Sequence, residues 1–164
     1  MEIKTKSSRM HGLIVLYDLH TTYFPRAIEG ISTADASKRL DTKANHIAWL
    51  AGSLVQERFE LAQIFGLELK SASHELFADH KGIQADVTYP SLDVYRQDWE
   101  KISPLLRAKL LEASDEKLDE VLNFPGMSFS IYEMVSFDTY REANCIGQIA
   151  LWRRLLNYDP INYM

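Results

Sequence analysis

Two short segments of the chain carry reactive side chains at the spacing of one helical turn. Arg141 and Cys145 are four residues apart, so in a helix they lie on the same face, one above the other. Ser53 and Glu57 have the same spacing in an earlier segment. A guanidinium on the core side of a helix needs an acceptor, because an unpaired buried charge is very costly. We therefore expect Arg141 to meet a carboxylate or a ligand.

The candidate carboxylate partners of Arg141 are Asp138, three residues earlier in the chain, and Glu57. The apolar stripe of the last helical segment continues through polar residues at its centre, which predicts a polar patch on the core face. The candidate ligand-binding residues are therefore Ser53, Glu57, Asp138, Arg141, Cys145 and Gln148. One interpretation is a core pocket for a small molecule. The other is a structural ion pair that sets the register of the helices.

Cys145 is the candidate catalytic residue, and it is the only cysteine of the chain. A neighbouring Arg141 can lower the pKa of the thiol and make it a nucleophile for group transfer. The alternative is a small, buried, unreactive side chain. A single cysteine also excludes an internal disulfide and a cysteine-rich zinc site.

The histidines do not predict a metal site. None of the five has a partner histidine three or four residues away, the spacing that places two ligands on one helical face. His46 is expected to cap a helix or lie at the edge of the core. His74 and His80 are expected to be solvent-facing residues of a long connection.

Apolar residues recur at three- and four-residue intervals over most of the chain, and no alternating run indicates a sheet. The pattern predicts four long helices, with the third bent at Pro104. Turn and cap signals include Asp41 and Thr42 before the second long helix, Phe124-Pro125-Gly126, and a capping box formed by Ser130 and Glu133. The predicted long helices cover about 7–29, 43–65, 92–110 and 130–156, and the short ones about 33–40, 74–78 and 115–122.

The predicted fold class is all-α: one domain over residues 1–164, built as a four-helix bundle with short additional helices in the connections. The length of 164 residues and a hydrophobic content of 46% are enough for one contiguous core. We expect a cytoplasmic protein, because no apolar run is long enough for a membrane span or followed by a cleavage site.

The net charge of −5 argues against nucleic acid as a partner, since such proteins usually carry a concentrated basic surface. The basic cluster Arg153-Arg154 is interpreted as a solvated face near a helix C-terminus.

Two separate segments carry a family resemblance. The stretch from Asn45 to Val55 resembles the second-helix motif of the DinB/YfiT-like superfamily, and the stretch from Arg141 to Ile149 resembles its last-helix motif. Tyr89-Pro90-Ser91-Leu92, Phe124-Pro125-Gly126 and Leu151–Leu156 also look like that family, so the resemblance covers nearly the whole chain.

The resemblance implies a bundle of DinB-like topology, a homodimer, and a divalent metal, commonly nickel or zinc, held by three histidines. Relatives of this kind transfer low-molecular-weight thiols or hydrolyse related adducts. Here Ser53, Arg141 and Cys145 stand at the three ligand positions. We therefore predict no metal and no other cofactor at this site.

Three functions follow as hypotheses. The first is a DinB-like protein without metal-dependent catalysis that keeps a core pocket for a small ligand, with an anion as the first candidate. The second is a metal-independent thiol transferase that uses Cys145, with Ser53 orienting the substrate. The third is a dimeric structural or interaction module, with Tyr158 and Tyr163 contributing surface.

Overall fold

The computed structural model describes residues 3–164 and confirms a mainly helical protein. The four long helices are α1 (Met10–Ile28), α3 (Ile47–Ile64), α5 (Leu92–Leu111) and α7 (Ile131–Leu155). The short elements are α2 (Thr33–Ala36), α4 (His74–Phe77), a 3-10 turn (Ala78–His80), α6 (Asp115–Leu118), and the strands β1 (Val121–Phe124) and β2 (Met127–Ser130).

The four long helices pack around one hydrophobic core. Helix α3 packs against α5 and α7, and α1 packs against the same two helices. Apolar residues of all four helices form one continuous buried cluster. Its largest fully buried apolar side chains are Trp99, Tyr95, Phe24, Phe59, Met10, Ile14, Ile28, Ile47, Leu50, Leu54 and Ile102.

Helix α3 is buried on nearly every side rather than along the single predicted stripe. Its buried residues include Ser53, Gln56 and Arg58 in addition to the apolar positions. A helix in contact with neighbours on several sides must bury polar positions as well as apolar ones. This location makes α3 the central element for every polar cluster described below.

The start of α3 corrects the predicted boundary. The helix begins at Ile47 and not near Lys43, and its cap is His46, whose Nδ1 accepts a hydrogen bond from the Trp49 backbone N–H at 3.1 Å. Asp41 does not cap it, because the backbone there is left-handed with φ of 56°. The expectation that His46 has a capping role is confirmed.

A β-hairpin replaces the end of the predicted helix 115–122 and overturns the expectation of a chain without strands. Leu122 pairs with Phe129, and Phe124 pairs with Met127. The strands are joined at Pro125-Gly126, where Gly126 has φ of 80°, a backbone conformation that glycine adopts without strain. The predicted turn at this position is therefore confirmed.

The N-termini of α5 and α7 test two further predictions of capping residues. Ser130 and Glu133 form the predicted capping box at the start of α7. Ser91 occupies the N-cap position of α5, but its side chain makes no capping hydrogen bond. Helix α5 continues through Pro104, which lies on its exposed side.

Arg153 is buried, which corrects its interpretation as part of a solvated face. Its Nη1 donates to the carbonyl oxygens of Ala27 at 3.1 Å and Glu29 at 2.5 Å. These carbonyls belong to the C-terminal end of α1, where the last carbonyl groups have no donor within the helix. Arg153 therefore joins the end of α7 to the end of α1.

The C-terminal tail folds back on the helices. The Tyr158 hydroxyl donates to Asp35 and accepts from the Ser32 backbone N–H, so this ring is not a free surface side chain. Tyr163 packs edge-on against Tyr23. Within residues 3–164, no helix combines the length and the apolar character needed to cross a membrane.

Candidate functional site

Arg141 is held on α7 by two partners from α3. Its guanidinium forms an ion pair with Glu57, and its Nη2 donates a hydrogen bond to Ser53 Oγ at 2.7 Å. The prediction that Arg141 meets a carboxylate is therefore confirmed for Glu57. Asp138 makes no ion pair with Arg141, so the second candidate partner was wrong.

The ion pair forms part of the wall of a pocket between α3 and α7. The pocket has a volume of about 420 Å³. The end of α4 and the segment that follows it form a third side, with Phe77 and Gly82 in the wall. Four of the six predicted site residues line this pocket: Ser53, Glu57, Asp138 and Arg141.

Cys145 and Gln148 line a different and more open cavity of about 300 Å³. Arg141 and Trp49 border both cavities. Gln148 is exposed and donates to Asn144 Oδ1 at 2.6 Å, so it does not lie on the core face as predicted. The six predicted residues are thus divided between two cavities that meet at Arg141.

Cys145 lacks the environment of a nucleophile. Its side chain is buried, with only 4% of the residue exposed. Burial raises the pKa of the Cys145 thiol; the nearby Arg141 charge lowers it, but the raising effect prevails and the Glu142 carboxylate adds to it. A group with a raised pKa holds less thiolate at neutral pH. The thiol pKa is therefore raised, opposite to the lowering that the nucleophile hypothesis expects from Arg141.

A second ion pair, which the sequence pattern did not predict, lies in the core itself. Arg58 of α3 donates from Nε and from Nη2 to the two carboxylate oxygens of Glu142 on α7, the second bond measuring 2.9 Å. Each residue follows directly after a member of the first pair, Glu57 and Arg141. Two oppositely oriented ion pairs therefore lie side by side between the same two helices.

Further bonds satisfy the buried pair. Glu142 Oε2 also lies 3.1 Å from His20 Nδ1. Arg58 Nη1 donates to Ser103 Oγ at 2.6 Å and to Thr21 Oγ1 at 2.8 Å. The Arg58 guanidinium carbon lies 3.9 Å from the ring centre of Tyr17 and 3.4 Å from that of Trp99. Such a cation between two aromatic faces adds further stabilisation.

The core face of α7 explains why Glu142 was missed. Its buried positions run through Val135, Thr139, Glu142 and Ile146 to Ile149, whereas the predicted stripe ran through Asp138 and Arg141. The buried positions are also spaced by three to four residues, so helical periodicity fits the predicted stripe and the observed core face equally well. The only sequence signal was the neighbouring Glu57-Arg58 and Arg141-Glu142 pairs, whose charges are in opposite order.

A divalent metal does not fit the positions where the resemblance implies its ligands. The Ser53 oxygen already accepts from the Arg141 guanidinium, a permanent cation that would repel a metal ion. Cys145 is a buried thiol with a raised pKa, whereas a metal-binding thiol is deprotonated. Over residues 3–164, no group of three or more His, Cys, Asp or Glu side chains is arranged to hold a metal ion.

No protein-family model matches the chain, and no curated protein matches it in sequence. The DinB-like resemblance therefore stays a prediction carried by the motif residues themselves.

Proposed function

We propose that this protein is a DinB-like four-helix bundle that binds a small molecule in the pocket between α3 and α7 and performs no metal-dependent catalysis there. The observation that carries the proposal is the pocket of about 420 Å³, whose polar wall is held by the Arg141–Glu57 ion pair. This volume lies in the range of sites for small organic ligands.

The packing order of the long helices supports the bundle. Each long helix contacts two others, in the cyclic order α1, α5, α3 and α7. The motif positions Ser53 and Arg141 meet across α3 and α7, as the resemblance expects of residues from the second and last long helices. The chemistry at these positions differs, because a hydrogen-bonded serine and arginine stand where the family has metal-binding histidines.

The test of ligand binding is a thermal-denaturation screen with a metabolite panel, followed by a variant that adds bulk to the pocket wall. Gly82 lies in the pocket wall, has open space at its Cβ position, and has a φ outside the left-handed region. Gly82→Phe therefore adds bulk to the wall without backbone strain. Gly12, in α1, has the same open surroundings, so Gly12→Phe is the matched control.

We expect at least one panel compound to stabilise the wild type and the Gly12→Phe variant but not the Gly82→Phe variant. A panel that stabilises none of the three proteins, or all three equally, contradicts the pocket as a binding site.

The proposed loss of metal chemistry has a separate test. Protein purified without an affinity tag should contain no stoichiometric nickel or zinc, and titration with either ion should not raise its melting temperature. A variant with Ser53→His, Arg141→His and Cys145→His should gain nickel-dependent stabilisation if the resemblance has located the ligand positions correctly. Stoichiometric metal in the wild type would overturn the proposal and restore a metalloenzyme.

The resemblance also leads us to propose a homodimer. Light scattering coupled to size-exclusion chromatography decides it, and a single monomer mass over a wide range of protein concentration would contradict it.

A further inference from the structure

The pocket between α3 and α7 contains three carboxylates, and their partners differ. Glu57 pairs with Arg141, and Glu60 Oε1 accepts from Gln56 Nε2 at 2.8 Å. Asp138 has no hydrogen-bond or ion-pair partner within residues 3–164. The pocket therefore holds one carboxylate with no compensating group from the described part of the protein.

Two further polar atoms of the pocket wall are buried without partners. Glu57 Oε2 and Trp49 Nε1 are shielded from solvent, and neither makes a hydrogen bond in the described chain. Buried polar side-chain atoms in folded proteins nearly always have a partner. Because both atoms are shielded from the pocket as well as from solvent, they leave Asp138 as the unpaired polar group that a molecule in the pocket can reach. The partner of Glu57 Oε2 must be a donor, because a carboxylate oxygen only accepts.

The cations at the pocket are already engaged or exposed. Arg141 is bound by Glu57 and Ser53, as described above. Lys81 donates its ammonium to the Glu75 carbonyl oxygen at 2.9 Å. His80 is exposed at the rim. An anionic ligand would find no free guanidinium, and it would approach the carboxylates of Glu60 and Asp138.

The remaining wall is apolar and aromatic. Trp49, Phe77 and Phe137 contribute ring surface, and Leu61, Ile64 and Met134 contribute aliphatic surface. Aromatic faces attract organic cations, and the attraction grows when water is excluded. A carboxylate without a partner inside an aromatic pocket thus matches a positively charged nitrogen attached to an apolar group.

We propose that this pocket binds a small organic cation, an amine carried on an apolar group, with its nitrogen at Asp138 and its apolar part on the aromatic wall. The inference rests on the proposed function and names the ligand class. An organic cation replaces the anion that the sequence indicated as the first candidate ligand.

Binding of a cation should also be coupled to the loss of a proton from Asp138. Burial raises the pKa of Asp138 to about 8, and the carboxylates of Glu142 and Glu60 add to this effect. A bound cation favours the ionised carboxylate, so binding releases a proton at neutral pH. The affinity for a permanently charged quaternary amine should therefore rise between about pH 6 and about pH 9. The other titratable groups that line the pocket are Glu57 of α3, Arg141 of α7, and His80 and Lys81 of the segment after α4.

The experiment compares probes of similar shape and different charge by isothermal titration calorimetry. The probes are phenethylamine, the neutral phenethyl alcohol and the anionic hydrocinnamate, with choline as a permanently charged amine for the pH series. We expect binding of the amines and no measurable binding of the alcohol or the anion. In Asp138→Asn, amine affinity should fall at least about tenfold, because a charged hydrogen bond is lost.

Asp86→Asn is the matched control, since it removes the same charge from an exposed loop position. It should bind phenethylamine as the wild type does. Equal binding of the amine and the alcohol, unchanged affinity in Asp138→Asn, or no amine binding at millimolar concentration would each overturn the inference. If the anion or a neutral panel compound binds and Gly82→Phe abolishes that binding, the proposed function stands while the cation assignment fails.

Discussion

Arg58 on α3 and Glu142 on α7 form a two-bond ion pair inside the core, with side chains that are 1% and 4% exposed. Next to it, Glu57 and Arg141 form an ion pair of opposite orientation at the pocket. The two pairs connect the same helices and differ mainly in burial. The buried Arg58–Glu142 pair contributes to the stability of the fold, and the Glu57–Arg141 pair forms part of the wall of the candidate site.

Glu142→Ala should destabilise the protein strongly. The substitution leaves the Arg58 guanidinium buried without its carboxylate, and breaking a buried pair in this way costs about 3–5 kcal/mol. Urea denaturation measures the loss. Asp18→Ala is the control, because its partner Arg107 is about one-third exposed and such pairs contribute less than about 1 kcal/mol. Equal losses for the two variants would contradict a structural role for the buried pair.

Gly52→Ala should destabilise the protein, whereas Gly147→Ala should not. A Cβ atom at Gly52 would lie 2.5 Å from Phe77 Cε2 and 2.8 Å from Tyr95 Cε1, so the packed rings would have to move. Overpacking of this kind costs about 1–3 kcal/mol. Gly147 has open space around it, so alanine there should stabilise α7 by up to about 1 kcal/mol. Chemical denaturation that gave both variants the same sign would contradict the close approach at Gly52.

Asp138→Asn should make stability less sensitive to pH. Burial, with the Glu142 and Glu60 carboxylates, raises the pKa of Asp138 from 3.8 to about 8. Between these values the folded protein keeps a proton that the unfolded chain releases, so the free energy of unfolding falls as pH rises. The asparagine variant should therefore be the more stable protein at about pH 9, by at least about 1 kcal/mol. The two proteins should converge near about pH 4.

The carboxylate of Asp35 should affect the pH dependence of stability in the direction opposite to that of Asp138, and Asp35→Asn tests this. Hydrogen bonds from Lys38, Tyr158 and Ser32 lower the pKa of Asp35 to about 2. This contribution is present above the unfolded value of 3.8 and is lost as pH falls through about 2. The Asp35→Asn variant should be less stable than the wild type at neutral pH. Urea denaturation over a pH series measures both variants, and slopes of the same sign would contradict the assignment.

Cys145 should react slowly with thiol reagents in the folded protein. Its burial and raised pKa both reduce the accessible thiolate, so we expect alkylation at neutral pH on the order of tenfold slower than that of a model thiol. Unfolding in urea should restore the ordinary rate. A rate in the folded protein above that of the model thiol would instead support the transferase hypothesis.

Local features could be predicted well from the sequence. The apolar positions of α5, the capping box at Ser130 and Glu133, and the turn at Pro125-Gly126 all occur where the pattern placed them. Each depends on residues close together in the chain. The hairpin could not be predicted in this way, because its strands are short and depend on each other for their hydrogen bonds.

The candidate site could be predicted only in part. Helical spacing put Arg141 with Cys145 and Ser53 with Glu57 on single helix faces, and it supplied Glu57 and Asp138 as candidate partners of Arg141. Only the family resemblance implied that Ser53 and Arg141 come together. The tertiary structure decided which polar residues enter the core. Because α3 is in contact with neighbours on several sides, Glu57 faces the pocket while the next residue, Arg58, faces the core. On α7 one residue step is a rotation of about 100°, so packing against α1 and α3 buries Glu142 and leaves Arg141 at the pocket.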